Sequence, residues 1–349
     1  MDKTKSLIIT PDFLGIIAEI DEFKGAWKAL GKIAPEQLTA LKKVATIESI
    51  GSSTRIEGNK LSDKEVEILL GNLSIEQFST RDEQEVAGYS RVMSLIFENF
   101  ETIPVTENYI RQLHHELMRF SEKDNWHKGS YKKSTNHVEA FDQHGKSLGI
   151  VFETASAFET PLRMEVLVNW LQKTMTENTL HPLLLTGIFI VDFLAIHPFQ
   201  DGNGRLSRVL TTLLLLKTGY AYVPYSSLEA VIEQSKEGYY LALRQTQGTL
   251  KTTTPDWQPW VSFFLKALRH QKNRLEGKLE KERILIMQLP PLSLQIMELA
   301  KSKGRITVRE IVSLTNANRN TVKKHLEALV RNQQLTQSGV GKGTSYFSS

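Results

Sequence analysis

The 349-residue chain contains no cysteine. That excludes disulfides, thiolate metal sites and a cysteine nucleophile. It also lacks a membrane-length apolar run. The most apolar stretch, Leu183 to Ile196, contains Asp192 and falls short of the ~20 residues a span requires. The opening Met-Asp-Lys-Thr-Lys-Ser leads into no long apolar segment, so a secretory leader is not expected and a cytoplasmic protein without membrane attachment is. No repeat of solenoid length is visible. Hydrophobic residues at 40% and charged residues at 23% are ordinary for a globular chain and exclude compositional disorder.

Net charge is small, +4, and unevenly placed. From Leu289 to Ser349 nine Lys/Arg face three acids, so this tail carries +6 and the remaining residues −2. A basic tail on a near-neutral body is suited to an anionic partner, or is simply a solvated surface. The length suggests two or three domains at roughly 100–200 residues each. The expected division is an N-terminal helical region over 1–100, a catalytic region over 101–288 and a C-terminal module over 289–349. Apolar residues at three- and four-residue spacing predict helices over 13–30, 38–56, 86–97, 110–120, 164–175, 183–196, 206–216, 228–243 and 260–268. The fold class is therefore mainly α. Strand signals lie between Ser134 and Phe152, around an Asp142-Gln143-His144-Gly145 turn, and at the C-terminus. The pair Pro290-Pro291 stops a helix, which sets the last boundary.

One twelve-residue segment carries the chemistry. Leu183–Ile196 is apolar all round and predicts a buried helix. It exits at His197-Pro198, where proline disfavours helix at the preceding residue. Asp201-Gly202-Asn203-Gly204 forms a tight loop, and a second apolar helix starts at Arg205. A glycine loop at a helix N-terminus presents unpaired N–H groups and a positive dipole end to an anion. Arg205 and Arg208 are three apart and share a face, so both can reach one polyphosphate. Asp201 is a hard oxygen ligand appropriate to Mg²⁺, and His197 is suited to general-base work at neutral pH. A mere turn would explain 201–204, but not a histidine at one helix exit and two arginines at the next helix start. His114-His115-Glu116 misses zincin spacing and reads as structural or surface.

His197-Pro-Phe-Gln-Asp-Gly-Asn-Gly-Arg-Leu-Ser-Arg208 resembles the signature of the Fic family at every defining position, and similarity extends over about 47–243, including Glu85-Val-Ala-Gly-Tyr89. The resemblance implies a Fic-type helical bundle with a β-hairpin flap, and transfer of AMP from ATP to a Ser, Thr or Tyr hydroxyl of a target protein. His197 would take the hydroxyl proton, and Asp201 would hold Mg²⁺. Gly202, Asn203, Gly204, Arg205, Leu206, Ser207 and Arg208 would bind the phosphates. Tyr239, Tyr240 and Gln247 would line a nucleoside pocket, the tyrosine pair being equally open to core packing. The hairpin within 134–152 would be the flap, with His137, Val138 and Glu139 near the nucleotide. The family also leaves room for a homodimer. Relatives that remove AMP or transfer another phosphate-containing group remain as alternatives.

Ser53-Ser-Thr-Arg-Ile-Glu57-Gly58 forms a second feature. Ile47, Ile50 and Thr54 share a helical stripe that Glu57 continues, which predicts a carboxylate on the buried side at a helix C-terminus. Both placements are unfavourable unless an arginine pairs with it. The stretch resembles the inhibitory motif of Fic proteins, Ser53, Glu57 and Gly58 being the matching residues. That implies pairing of Glu57 with Arg208 and autoinhibition. In the tail, predicted helices over 295–303, 308–314 and 319–331, a Thr307–Glu310 capping box and two short terminal strands resemble a winged helix-turn-helix. That pattern is suited to DNA through Arg319, Lys323 and Lys324, or to a protein partner instead, with a nucleotide-sensing DNA-binding regulator as the further alternative.

Overall fold

The computed structural model describes residues 4–30, 35–72, 78–134, 136, 138–141, 147–287, 290–332, 334–339 and 341–348. The chain runs α1 (Pro11–Leu30), α2 (Pro35–Ile56), α3 (Asp63–Gly71), α4 (Arg81–Asn99), α5 (Glu107–Leu117), the hairpin β1 (Val138–Phe141) and β2 (Ser147–Phe152), α6 (Thr160–Glu177), α7 (Pro182–Ile196) and α8 (Asn203–Lys217). There follow α9 (Leu228–Gln234), α10 (Lys236–Gln247), α11 (Gln258–Met287), α12 (Pro291–Lys303), α13 (Val308–Thr315), α14 (Arg319–Arg331), β3 (Leu335–Ser338) and β4 (Ser345–Ser348). The mainly helical class read from periodicity is the class observed. Two compact units divide the chain. One comprises Met1–Leu30 with Lys42–Asn273, the other Gly31–Leu41 with Arg274–Ser349. No helix of the described residues is long and apolar enough to cross a membrane.

In the first unit α7 is the central element. Every residue from Leu183 to Ile196 is buried, because this helix packs against α6, α8 and α10 together. Gly187 lets Phe264 approach, a Cβ there meeting its ring at 3.0 Å. The Gly187 carbonyl accepts from Trp260 Nε1 at 2.7 Å. α4 lies against α5 and α8. Gly88 makes the first contact close: a Cβ would stand 2.0 Å from the Leu117 carbonyl oxygen. The flap strands pair antiparallel, Val138 with Phe152 and Glu139 with Ile150.

Three local readings change. The apolar pattern over 228–243 predicts one helix, but the chain breaks at Ser235, which caps α9 and begins α10. α3 escaped the periodicity because it is nine residues long. Its signal was the capping box, in which Glu65 N–H donates to Ser62 Oγ at 3.4 Å and Ser62 N–H to Glu65 Oε2 at 2.8 Å. The pair Pro290-Pro291 follows the end of α11 at Met287, as expected, but α12 begins at Pro291 rather than at 295, proline's missing N–H leaving nothing unpaired in a first turn. The Asp142–Gly145 turn lies outside the described residues.

In the second unit α12, α13 and α14 enclose Ile296, Ile311, Val322, Leu326 and Leu329, and β3 pairs with β4. Thr307 caps α13 as expected. Ile306 bridges Tyr346, tying the hairpin to the start of α13.

Candidate active site

The site grows out of the end of α7. His197 caps that helix in the left-handed conformation, φ 53° and ψ 61°, which few non-glycine residues adopt. Its N–H still donates to the Phe193 carbonyl at 2.9 Å. Nδ1 lies 3.2 Å from the Leu194 carbonyl oxygen. A carbonyl only accepts, so Nδ1 carries the proton and Nε2 keeps its lone pair. Burial pushes the imidazole pKa down to about 4, against the Leu194 bond that favours the charged form. At neutral pH the ring is therefore the free base.

The loop that follows is braced from inside. Asn203 accepts from Phe199 N–H at 2.9 Å through Oδ1 and donates to the Phe199 carbonyl at 2.7 Å through Nδ2. Gly202, at φ 78°, turns the chain into α8, a conformation that favours glycine. Asp201 Oδ1 accepts from Gly202 N–H at 2.6 Å, and Oδ2 pairs with Arg81 at 2.9 Å and Arg205 at 3.2 Å. Burial would raise this carboxyl, but Arg205 and the Gly202 N–H hold it below its ordinary range. His114 is structural. Gly129 N–H donates to its Nδ1 at 3.0 Å, so Nε2 bears the proton and donates to the Asp201 carbonyl at 3.0 Å. Its ring stacks on Phe199 at 3.8 Å.

The two arginines of α8 are almost wholly buried, Arg205 at 2% and Arg208 at 3% exposure. Arg205 faces Asp201 and Glu85, the latter at 3.4 Å. Arg208 donates through Nε to Ser53 Oγ and through one terminal nitrogen to the Ser53 carbonyl and Glu57 Oε1, each at 2.8 Å. Burial would lower its pKa, but Glu57 outweighs that and holds the guanidinium above its ordinary value. Arg205 Nε and the other terminal nitrogen of Arg208 are buried without a partner among the described residues. Orphaned buried donors of this kind call for an acceptor.

Glu57 does reach Arg208, but not from the buried side. α2 ends at Ile56, and Glu57 sits one residue beyond it, with N–H donated to the Thr54 carbonyl. Gly58 follows at φ 103°. The turn swings the carboxylate off the Ile50–Thr54 stripe, so its side chain is 33% exposed. It lands over the start of α8: a Cβ on Gly204 would meet Glu57 Oε1 at 2.1 Å. The carboxylate thus rests on the glycine loop at a helix N-terminus, where an anion is favoured. Arg55 fastens this end of α2, donating to Glu233 at 2.7 Å and pairing with Asp63 at 2.9 Å.

Other expected residues are brought together less closely. Leu206 is buried in the core, and Ser207 Oγ donates to the Gly204 carbonyl at 2.7 Å, so both hold the first turn of α8. Tyr239 is buried in an aromatic group with Trp260 and Phe263, as the core-packing reading anticipates, yet it lies within electrostatic reach of Arg208 and Glu57. Tyr240 is more open. Gln247 lines a cavity of about 790 Å³ with Phe152, Asp192, Ala195 and Ile196, which neither tyrosine lines. Val138 and Glu139 fall on β1; His137 lies outside the described residues. Arg81, Lys132 and Asn136 belong to the site's surroundings and had no local sequence signal. Glu85 was visible only within its five-residue motif. Among the described residues no three His, Asp or Glu side chains cluster as a metal cage.

A neutral imidazole, a glycine loop opening a helix and two buried arginines on that helix define an anion-handling centre within a helical bundle. Residues 104–215 match the model of the Fic/DOC family. The protein adenylyltransferase Fic of Drosophila grimshawi is 25% identical over 264 residues, covering 75% of this chain and 49% of that protein. That of Drosophila erecta is 27% identical over 229 residues, covering 65% and 41%. The chain thus spans about half the length of the curated relatives it matches. A Fic family protein from Desulfovibrio desulfuricans shares the fold with a TM-score of 0.64 at 24% identity, covering 99% of this chain and 98% of its own. A Fic domain containing signaling protein from Bacteroides thetaiotaomicron matches at 0.58 and 25%, covering 73% and 94%.

Proposed function

We propose that this chain transfers AMP from ATP to a hydroxyl of a protein, and that Glu57 holds it in check. The observation that carries the reading is the free Nε2 of His197 beside a loop whose buried arginines have unpartnered donors. His197 Nε2 takes the proton of the target hydroxyl. Its oxygen attacks the α-phosphorus, the bond from that phosphorus to the α,β-bridging oxygen breaks, and pyrophosphate leaves. The loop N–H groups, Arg205 and Arg208 hold the phosphates, and catalysis is mainly positioning and charge stabilisation. Asp201 fits Mg²⁺ as a single hard carboxylate beside phosphate-binding arginines, the donor set of an ion that arrives on its nucleotide. When bound, that ion would neutralise charge on the phosphates. Tyr239, Tyr240 and Gln247 remain the proposed nucleoside side, and β1 and β2 the proposed surface where a target strand docks.

Glu57 competes with the terminal phosphate for Arg208 and for the space over Gly204. A Glu57→Gly variant incubated with α-labelled ATP should label itself strongly, with an intact-mass gain of one AMP. A gain of phosphate alone would instead favour kinase-like transfer. For the second unit we propose DNA contact through Arg319, Lys323 and Lys324, which are exposed on α14 and have no ion pair among the described residues.

A further inference from the structure

The backbone around His197 is held from outside the signature segment. Three successive carbonyls at the α7 exit, those of Ile196, His197 and Pro198, would be left open by the helix end and by Pro198, which has no N–H, while the next, that of Phe199, also accepts from Asn203. Each finds a donor in a five-residue stretch that leads into the flap. Lys132 Nζ donates to the Ile196 carbonyl at 3.0 Å, and Lys132 N–H to the Pro198 carbonyl at 2.8 Å. Asn136 Nδ2 donates to the His197 carbonyl at 3.3 Å and the Phe199 carbonyl at 2.6 Å. The far root of the hairpin is tied in as well. Thr154 Oγ1 accepts from Lys132 Nζ at 2.9 Å and donates to Asn136 Oδ1 at 3.2 Å, while Ala155 N–H donates to the Ala195 carbonyl at 3.3 Å.

Lys132 is the unusual member. It is 3% exposed, and no carboxylate lies within ion-pair distance of it among the described residues. Its three ammonium protons go to three neutral oxygens, those of Ile196, Asn136 and Thr154. Burying a charge in that way is unfavourable, although the negative end of α7 offsets part of it. The ammonium is nevertheless well placed to fix a left-handed histidine whose conformation is itself strained.

We infer that Lys132 and Asn136 are positioning residues, clamping the His197 backbone to both roots of the flap so that imidazole and flap move as one body. The inference rests on the proposed transfer for its consequence: a target strand added to the flap is set in register with Nε2 by this clamp. A displacement of about 1 Å at such a centre costs on the order of 10²-fold in rate.

The test uses full-length protein carrying Glu57→Gly, with Lys132→Met, Lys132→Arg and Asn136→Ala added singly. Lys132→Met and Asn136→Ala should each lower kcat by about 10- to 100-fold while KM for ATP stays within about threefold. Lys132→Arg should recover most of the loss, since it restores charged donors. The imidazole ¹⁵N spectrum of histidine-labelled protein, with the His197 signals identified by their loss in His197→Ala, reads positioning without any turnover. A fixed Nδ1–H tautomer in the parent should become a tautomer average in Lys132→Met and Asn136→Ala. Retention of that tautomer in both variants, with kcat unchanged, overturns the inference. Absence of AMP transfer in the Glu57→Gly parent would sink the proposed function alone, because the tautomer signature still decides the clamp.

Discussion

Arg208 and Lys323 carry the same charge in opposite settings. Arg208 is buried and held by Ser53 and Glu57. Lys323 is exposed on α14 beside Arg319 and Lys324. A buried guanidinium is fixed in direction and little screened by salt, so it can select one phosphate position. Exposed ammonium groups are mobile and screened, so they attract a polyanion without choosing a position. One unit therefore has the physics of a reaction centre and the other that of an attractive surface.

The sharpest way to break that contrast is His197→Ala in the Glu57→Gly background. Removing the base should lower self-labelling by roughly 10²- to 10⁴-fold, measured with α-labelled ATP, while the circular dichroism melt stays close to the parent's. Glu57→Gly alone comes next. Freeing Arg208 should raise labelling by about 5- to 150-fold, taking the span typical of regulatory coupling energies between sites as the scale; equal labelling of variant and parent would remove the inhibitory role. The pH profile is a gentler test. Protonation fills the Nε2 lone pair, so activity is present above the pKa and lost as pH falls through it. With the imidazole at about 4, the labelling rate of Glu57→Gly should hold steady from neutrality to about pH 5 and halve near pH 4. A fall centred near ~6.5 would describe an ordinary solvated histidine. The smallest effect on transfer belongs to Arg319→Ala/Lys323→Ala/Lys324→Ala. Labelling should be unchanged, while the slope of log affinity for duplex DNA against log salt should shrink by about 0.9 per cation removed. Unchanged DNA binding would leave α14 as a merely solvated face.

Much of the fold was legible because its signals are local. α7 was readable as buried from fourteen apolar-dominated residues, and α13 from Thr307 and Glu310. α3 was missed for its shortness, and the break at Ser235 was hidden because Leu228–Leu243 keeps helical periodicity across it. The Ile47–Thr54 stripe points Glu57 inward only if the helix continues through it, and α2 ends at Ile56. Lys132 and Asn136 were invisible for a different reason. Their partners are carbonyls 61 to 66 residues away, and a backbone oxygen leaves no mark in a sequence.

By itself the sequence determined the local form of the segment from His197 to Arg208. A buried helix, a proline, two glycines and two arginines act over single turns, and backbone sterics and dipoles there need no distant partner. Tertiary structure alone decided that Glu57 rests over Gly204 and bonds Arg208 across 151 residues. It also decided that the flap roots hold the His197 backbone. Those contacts exist only once helices far apart in the chain have packed, and packing is set by the whole core.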